Sequence, residues 1–281
     1  MAAADLESEY SPRTSVADCD EIFARWTREA ELYRAETLKA GRAELGLSYG
    51  DTPRQIIDLF LPEASKNAPV VLFIHGGYWR AFDPSFSSQI ARGLNQHGIT
   101  VAVVGYDLCP IVTIGDIIEQ IRRASVFLWQ RFGRQILAVG HSAGGHLAAA
   151  MVATDWKALY PKAPPDLVPA GFAISGVFDL RPLVNFTINQ DLRLSGEDAQ
   201  RLSPLLWPVP PGRLLDVTVG DLESGAFKSQ SHTMADTWRQ AKAETRYVEY
   251  PGNHFTVIDA LTDPNNAMVT RIAELAQRLK S

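Results

Sequence analysis

The run Gly140-His141-Ser142-Ala143-Gly144 is the feature that most constrains this chain. It sits between an apolar stretch, Ile136-Leu137-Ala138-Val139, and a helix-like stretch over residues 146–152. In a strand–turn–helix setting, G-x-S-x-G has a mechanical meaning: a serine forced into a sharp turn at a strand end projects its hydroxyl above the sheet. The flanking positions require glycine because a Cβ there would collide with the neighbouring strand and helix. The next backbone N–H, that of Ala143, points at the space an attacked carbonyl oxygen would occupy. The plain alternative is a glycine-rich turn that merely contains a serine. The apolar strand before it and the helical pattern after it weigh against that alternative.

A second motif lies upstream. Val70-Val71-Leu72-Phe73-Ile74 is a continuous run of β-branched, aliphatic and aromatic residues and reads as a buried strand. It ends in His75-Gly76-Gly77-Tyr78-Trp79, where a glycine pair lets the backbone turn with its N–H groups facing a ligand. The N–H groups of Gly77 and Tyr78, with Gly76 as a further contributor, are the expected partners of Ala143 in an oxyanion hole. His75 is expected to be a hydrogen-bonded structural residue rather than a base.

The chain has 281 residues, 46% of them hydrophobic, with no composition shift, low-complexity tract or repeat, so one domain over residues 1–281 is expected. A net charge of −5 leaves no basic stripe and argues against nucleic acid or an anionic membrane as partner. Residues 1–10 are acidic without an apolar core for a signal peptide, and no apolar run reaches transmembrane length. Cys19 and Cys109 form no disulfide framework or metal spacing and read as free thiols, so the cytoplasm is the expected location.

Apolar spacing predicts a helix over residues 15–41 and, with it, an N-terminal helical segment over 1–48. Strands are expected at 55–61, 70–76, 100–106, 135–141, 170–175, 214–219 and 245–250. Helices are expected at 85–97 and at 116–132, the latter closed by Gly133. This alternation implies an α/β fold with a mostly parallel, doubly wound sheet, helices on both faces, and ligands at the carboxyl ends of the strands. Residues 177–210, with Phe178, Phe186 and Trp207 among prolines, are expected to form a small cap, joined by the N-terminal helix.

A serine hydroxyl needs a base within hydrogen-bond reach. His141 and His146 flank Ser142 on its own turn and helix, so their side chains should not face its hydroxyl. His97 falls at a helix end and His232 within a surface helix. His254 remains, in the loop Pro251-Gly252-Asn253-His254-Phe255 after the last strand. The orienting carboxylate is open among Glu223, Asp221 and Asp179. Asp221 could instead cap the next helix, and Asp179 looks like part of a helix start.

Several further patterns accompany these: Tyr10-Ser11-Pro12, Tyr49-Gly50, Pro53-Arg54-Gln55 with Asp58, Tyr106-Asp107-Leu108-Cys109-Pro110, Ser175-Gly176 with Asp179-Leu180, Glu223-Ser224 with Phe227, and Gly252 with His254-Phe255. Taken with HGGYW and the serine turn, they make most of the chain resemble the α/β-hydrolase serine-type kynurenine formamidases (arylformamidases) and the bacterial proteins grouped with them. The resemblance implies the α/β-hydrolase fold, with Ser142 as nucleophile, Glu223 as acid and His254 as base. It departs from the pattern at Glu223, where animal members carry Asp. It further implies two-step acyl transfer on an N-formyl or N-acyl arylamine such as N-formylkynurenine, without metal or organic cofactor. The histidine/aspartate cluster of zinc-type formamidases is not found in this sequence.

Tyr78, Trp79 and Phe82 could supply aromatic surface for such a substrate, although packing of the loop onto the core would equally explain each of them. A carboxylesterase of the same fold is the alternative function. A non-catalytic hydrolase-fold binding protein is a remote third, which expects a broken elbow, oxyanion loop or histidine. The expected partner is a small acyl substrate, with a homodimer left open.

Overall fold

The computed structural model describes residues 3–64 and 66–279. Eight strands, β1 (Ala43–Ser48), β2 (Ile56–Phe60), β3 (Val70–Ile74), β4 (Thr100–Val104), β5 (Ile136–His141), β6 (Ala170–Ile174), β7 (Leu214–Gly220) and β8 (Glu244–Tyr250), form one sheet. Their order is β1-β2-β4-β3-β5-β6-β7-β8. The pairs β1–β2 and β2–β4 are antiparallel, and every neighbour from β4 to β8 is parallel.

Before the sheet come α1 (Ala3–Tyr10), α2 (Pro12–Ser15) and α3 (Cys19–Lys39). Between strands lie α4 (Ala91–Gln96), α5 (Ile114–Phe132), α6 (Ala143–Ala153), α7 (Trp156–Leu159), α8 (Asn189–Leu192), α9 (Gly196–Arg201) and α10 (Gly225–Gln240), and α11 (Ala267–Gln277) follows β8.

The continuous apolar strands have a simple cause. Side chains alternate across a strand, and this sheet is covered on both faces. On β3, Val70, Leu72 and Ile74 pack with Ile117 of α5, Leu147 of α6 and Trp238 of α10. Val71 and Phe73 pack with Trp26 of α3, Leu94 of α4 and Ile272 of α11. The doubly wound α/β architecture expected from the alternation is the one observed. Helix α5 is bounded as its sequence indicates, by a capping box between Thr113 and Asp116 and by Gly133 in the left-handed conformation.

Two expected elements differ. The N-terminal segment is not helical throughout 1–48, because residues 43–48 form β1 at the sheet edge. A register irregularity between Glu44 and Leu47, at Gly46 with φ +71°, interrupts the strand. Leu45 and Leu47 consequently pack on opposite layers, which hides the period of two. The helix expected over 85–97 begins as a 3₁₀ turn, Pro84–Ile90, and only then continues as α4.

Strand register delivers the site. Ile74 of β3 lies opposite Gly140 of β5, His141 opposite Ile174, Ile174 opposite Thr218, and Gly220 opposite Tyr250. The loops after β3, β5, β6, β7 and β8 therefore leave the sheet at one edge.

Candidate active site

Ser142 sits at the turn from β5 into α6 with φ +56° and ψ −119°, a conformation L-residues rarely adopt. The glycines around it are obligatory: a Cβ on Gly140 would lie 2.0 Å from the carbonyl oxygen of Gly144, and one on Gly144 would lie 1.9 Å from that of Ile74. The backbone is held by the Ser142 N–H donating to the Ile174 carbonyl at 2.8 Å. Strain of this kind persists only where the surroundings over-determine it.

His254, in the loop after β8, places Nε2 3.0 Å from Ser142 Oγ and Nδ1 2.6 Å from Glu223 Oε2. Glu223 Oε1 accepts from the Gly220 N–H at 2.7 Å and from the Ser175 hydroxyl. Burial alone pushes the Glu223 carboxyl up. The facing His254 ring and the hydrogen bonds from His254, Ser175 and Gly220 outweigh it and leave the group below its usual range.

The three acids considered from sequence thus have three different partners. Asp221 accepts from the Gly252 N–H at 2.9 Å and shapes the histidine loop, and Asp179 pairs with Arg181. Ser175 is a contributor the chemistry-bearing motifs did not single out. It occupies the turn after β6 with φ +54°, and only its position in the fold indicates its contact with Glu223.

The other histidines lie where the elimination placed them. His141 donates from Nε2 to the His254 carbonyl at 2.8 Å, steadying the loop rather than facing the hydroxyl. His146 donates to the Leu202 carbonyl at 2.7 Å, and His75 donates from Nδ1 to the Gly76 carbonyl at 2.8 Å. Burial lowers all three, to about 4 for His75 and His146 and, with His254 adding to the effect, to about 3 for His141. His97 contacts the Pro264 carbonyl, and the His232 side chain is exposed beside Asp236.

The loop after β3 stands directly against Ser142, since a Cβ on Gly76 would come within 3.0 Å of the serine Cβ. Gly77 and Tyr78 have φ of +100° and +49°. Among the described residues, no hydrogen bond is donated by the N–H of Gly77, Tyr78 or Ala143.

A cavity of about 380 Å³ opens over Ser142 and His254. Tyr78 and Phe82 line it. Trp79 does not: its indole is fully buried against His146, ring centroids 5.0 Å apart. Sequence reasoning missed most of the aromatic wall. Phe23 and Trp26 of α3 join Phe82, Phe86 and Phe255 there, Phe23 lying 4.9 Å from Phe255 and 5.5 Å from Phe82. Their i, i+3 spacing on α3 indicated a packed face, but nothing local indicated that this face borders the cavity. Of the expected cap, residues 186–188, 190 and 191 reach the cavity, whereas Phe178 is core and Trp207 bonds the Arg201 carbonyl away from it. Residues 10–14 complete the rim.

Among the described residues, no group of three His, Cys, Asp or Glu side chains is placed to hold a metal ion, and no helix is long and apolar enough to cross a membrane.

A mostly parallel eight-stranded sheet that gathers a serine, a histidine and a carboxylate at its carboxyl edge defines a hydrolase of the α/β-hydrolase fold. The BD-FAE family matches residues 57–202. The kynurenine formamidase of Salmo salar is 31% identical over 275 residues, 92% of this chain and 91% of that protein. The one from Drosophila melanogaster is 31% identical over 271 residues, 91% and 89% of the two chains. A Silicibacter sp. tm1040 protein, described with its crystal structure as a thioesterase by proposal only, superposes with a TM-score of 0.85 at 34% identity, covering 95% of this chain and 98% of that one. The chain belongs to the BD-FAE family, in the group of α/β-hydrolases that contains the kynurenine formamidases.

Proposed function

We propose that this protein hydrolyses an N-formyl or N-acyl arylamine, such as N-formylkynurenine, through an acyl-enzyme on Ser142. The observation that carries this reading is the aromatic wall of Phe23, Trp26, Phe82, Phe86 and Phe255 on the cavity that also contains Ser142 and His254. A planar aryl group packs there edge-on or stacked, with its acyl carbon turned towards the serine. The relatives named kynurenine formamidase support the same substrate class.

In the proposed mechanism, His254 Nε2 takes the proton of Ser142 Oγ as the oxygen attacks the acyl carbon. Glu223 holds the His254 Nδ1–H and stabilises the imidazolium that forms. The developing oxyanion rests on the N–H groups of Gly77, Tyr78 and Ala143. The C–N bond then breaks, and the departing arylamine receives the proton from His254. Water next gives a proton to His254 Nε2 while its oxygen attacks the acyl carbon. This releases the carboxylic acid, formic acid for a formyl group, and returns the proton to Ser142. Tyr78 and Phe82 flank the aryl group in this reading. Cys19 and Cys109 are both unpaired and buried, which fits a reducing compartment, and we assign the enzyme to the cytoplasm.

A carboxylesterase is the second reading, because the same wall accepts the aryl or alkyl group of an ester. A relative from Arabidopsis thaliana named isoprenylcysteine alpha-carbonyl methylesterase ICME, 31% identical over 256 residues, speaks for it. The decisive experiment compares wild type with Ser142→Ala on N-formyl-L-kynurenine and on p-nitrophenyl acetate. We expect kynurenine release by wild type and a fall to background in the variant, a drop on the order of 10⁶ where a serine nucleophile is removed. Ester cleavage with negligible kynurenine release would overturn the formamidase reading and leave the esterase.

A further inference from the structure

The loop after β3 carries more backbone strain than any glycine explains. Tyr78, Trp79 and Phe82 have φ of +49°, +55° and +72°, all in the left-handed region that bulky side chains avoid. Such a backbone persists only when its neighbours hold it, and each of the three residues has a separate anchor. The Trp79 indole is locked in the core. Phe82 is stacked on Phe86 at 4.2 Å. The Tyr78 hydroxyl donates to the main-chain carbonyl of Tyr10, 68 residues earlier in the chain. Burial raises the Tyr78 phenol far above its ordinary value, so it stays protonated and keeps donating.

The same short N-terminal stretch also grips the opposite side of the site. The Glu9 carboxylate accepts from the Ala226 N–H at 2.6 Å, and the Glu9 carbonyl accepts from the Ser224 hydroxyl at 2.6 Å, one residue beyond Glu223. The Tyr10 ring lies 5.9 Å from that of Phe227, whose ring is in turn 4.5 Å from His254. Residues 9 and 10 therefore bridge the loop that carries the Tyr78 N–H and the loop that carries Glu223.

From this bridge we infer that Glu9 and Tyr10 are positioning residues of the active site. The Tyr10 carbonyl, through the Tyr78 hydroxyl, holds the Tyr78 N–H in its oxyanion position, and Glu9 ties that hold to the acid loop. The inference rests on the reading of Ser142 and the oxyanion loop proposed above. It differs from a lid in what it affects: a lid controls substrate entry, whereas this bridge acts on the transition state.

The test uses the full chain with p-nitrophenyl acetate, each rate being normalised to the serines titrated by a fluorophosphonate, so that a poorly folded fraction drops out. Tyr78→Phe keeps the ring and the N–H and removes only the hydroxyl. The expected result is a fall in kcat of about 10- to 100-fold, the scale of a small misplacement of a catalytic group, with KM within twofold of wild type. Affinity for phenylboronic acid, whose tetrahedral adduct occupies the oxyanion site, should fall by a similar factor. Glu9→Ala should lower kcat by a smaller factor, and Glu9→Gln, which retains an acceptor for the Ala226 N–H, should restore it. An unchanged kcat in Tyr78→Phe, or a change confined to KM, overturns the inference and leaves the hydrolase reading intact. Failure of the fluorophosphonate to label Ser142 in wild type would sink both.

Discussion

The elbow around Ser142 and the aromatic wall that faces it are adjacent in space but built by opposite means. The elbow and the loop after β3 leave two neighbouring strands whose register, Ile74 opposite Gly140, places both glycine motifs at one level, and each motif is a short continuous run of sequence. The wall is assembled from distant stretches, Phe23 and Trp26 of α3, Phe82 and Phe86 after β3, Phe186 between β6 and β7 and Phe255 beside His254. In the proposed mechanism the elbow and its histidine supply the reactive groups, and the wall selects the substrate. Strand register inside a packed core leaves the first little freedom, whereas the second depends on how separate segments meet after folding. One expectation is that changes at the elbow alter rate for every substrate and changes at the wall alter preference among substrates.

The sharpest test of the elbow side concerns its carboxylate. Glu223→Gln keeps the shape of the side chain but removes the charge that faces His254 Nδ1 at 2.6 Å. Loss of the orienting acid costs about 10⁴-fold in kcat in enzymes with such a triad. We expect a loss of that order on formanilide and ester alike. Asp221→Asn should cost only a few-fold, because Asp221 holds the Gly252 N–H and not the imidazole. Equal losses in steady-state kcat for the two variants would move the acid role away from Glu223.

The wall side calls for a smaller and more selective effect. Phe23→Ala removes a ring that contacts Phe82, Phe86 and Phe255 and faces the cavity. An aromatic contact is worth about 0.5–1.5 kcal/mol beyond its buried area, so kcat/KM for an aryl substrate should fall roughly 2- to 10-fold. Turnover of a short alkyl acetate should change little. A uniform loss on both substrates would mean that the wall supports the elbow rather than the substrate, and the contrast between the two regions would break.

The same contrast explains what could be read in the sequence. Ser142 and His254 were legible because a strained turn between a buried strand and a helix, and a glycine-containing loop after the last strand, leave local marks. Glu223 is favoured over Asp221 by its place three residues past Gly220, where the loop has room to turn towards the histidine, but two acids two residues apart in one loop stay hard to separate until the loop's direction is known. Trp79 was misjudged because its neighbour Tyr78 does line the cavity, and no local pattern tells which of two successive aromatic residues in a turn packs into the core. Strand β1 escaped because a bulge at Gly46 removed its alternation. The N-terminal contacts to Tyr78 and Ser224 span 68 and 215 residues, a separation over which no periodicity operates.

His146 tests how firmly the two regions are joined. It belongs to α6, one turn past Ser142, and its Nε2–H holds the Leu202 carbonyl at the end of helix α9. Burial lowers it from the ordinary 6.5 to about 4, so the folded protein holds it neutral where the unfolded chain has already taken up a proton. The sign follows directly: the stability due to the neutral ring is full well above pH 6.5 and is lost as the pH falls through 6.5 towards 4. Between pH 7 and pH 6 this linkage removes roughly 0.7 kcal/mol per histidine. His75 and His141, similarly lowered, should act in the same direction. His146→Gln places an amide N–H near the position of Nε2 and does not titrate. Its urea midpoint should therefore drop less between pH 7 and pH 6 than that of wild type, by a margin equivalent to about 0.7 kcal/mol. An identical drop would show that His146 is protonated as easily in the folded chain as in the unfolded one. The segment around Leu202 would then open on its own, and this part of the fold would be looser than its hydrogen bonds to the core imply.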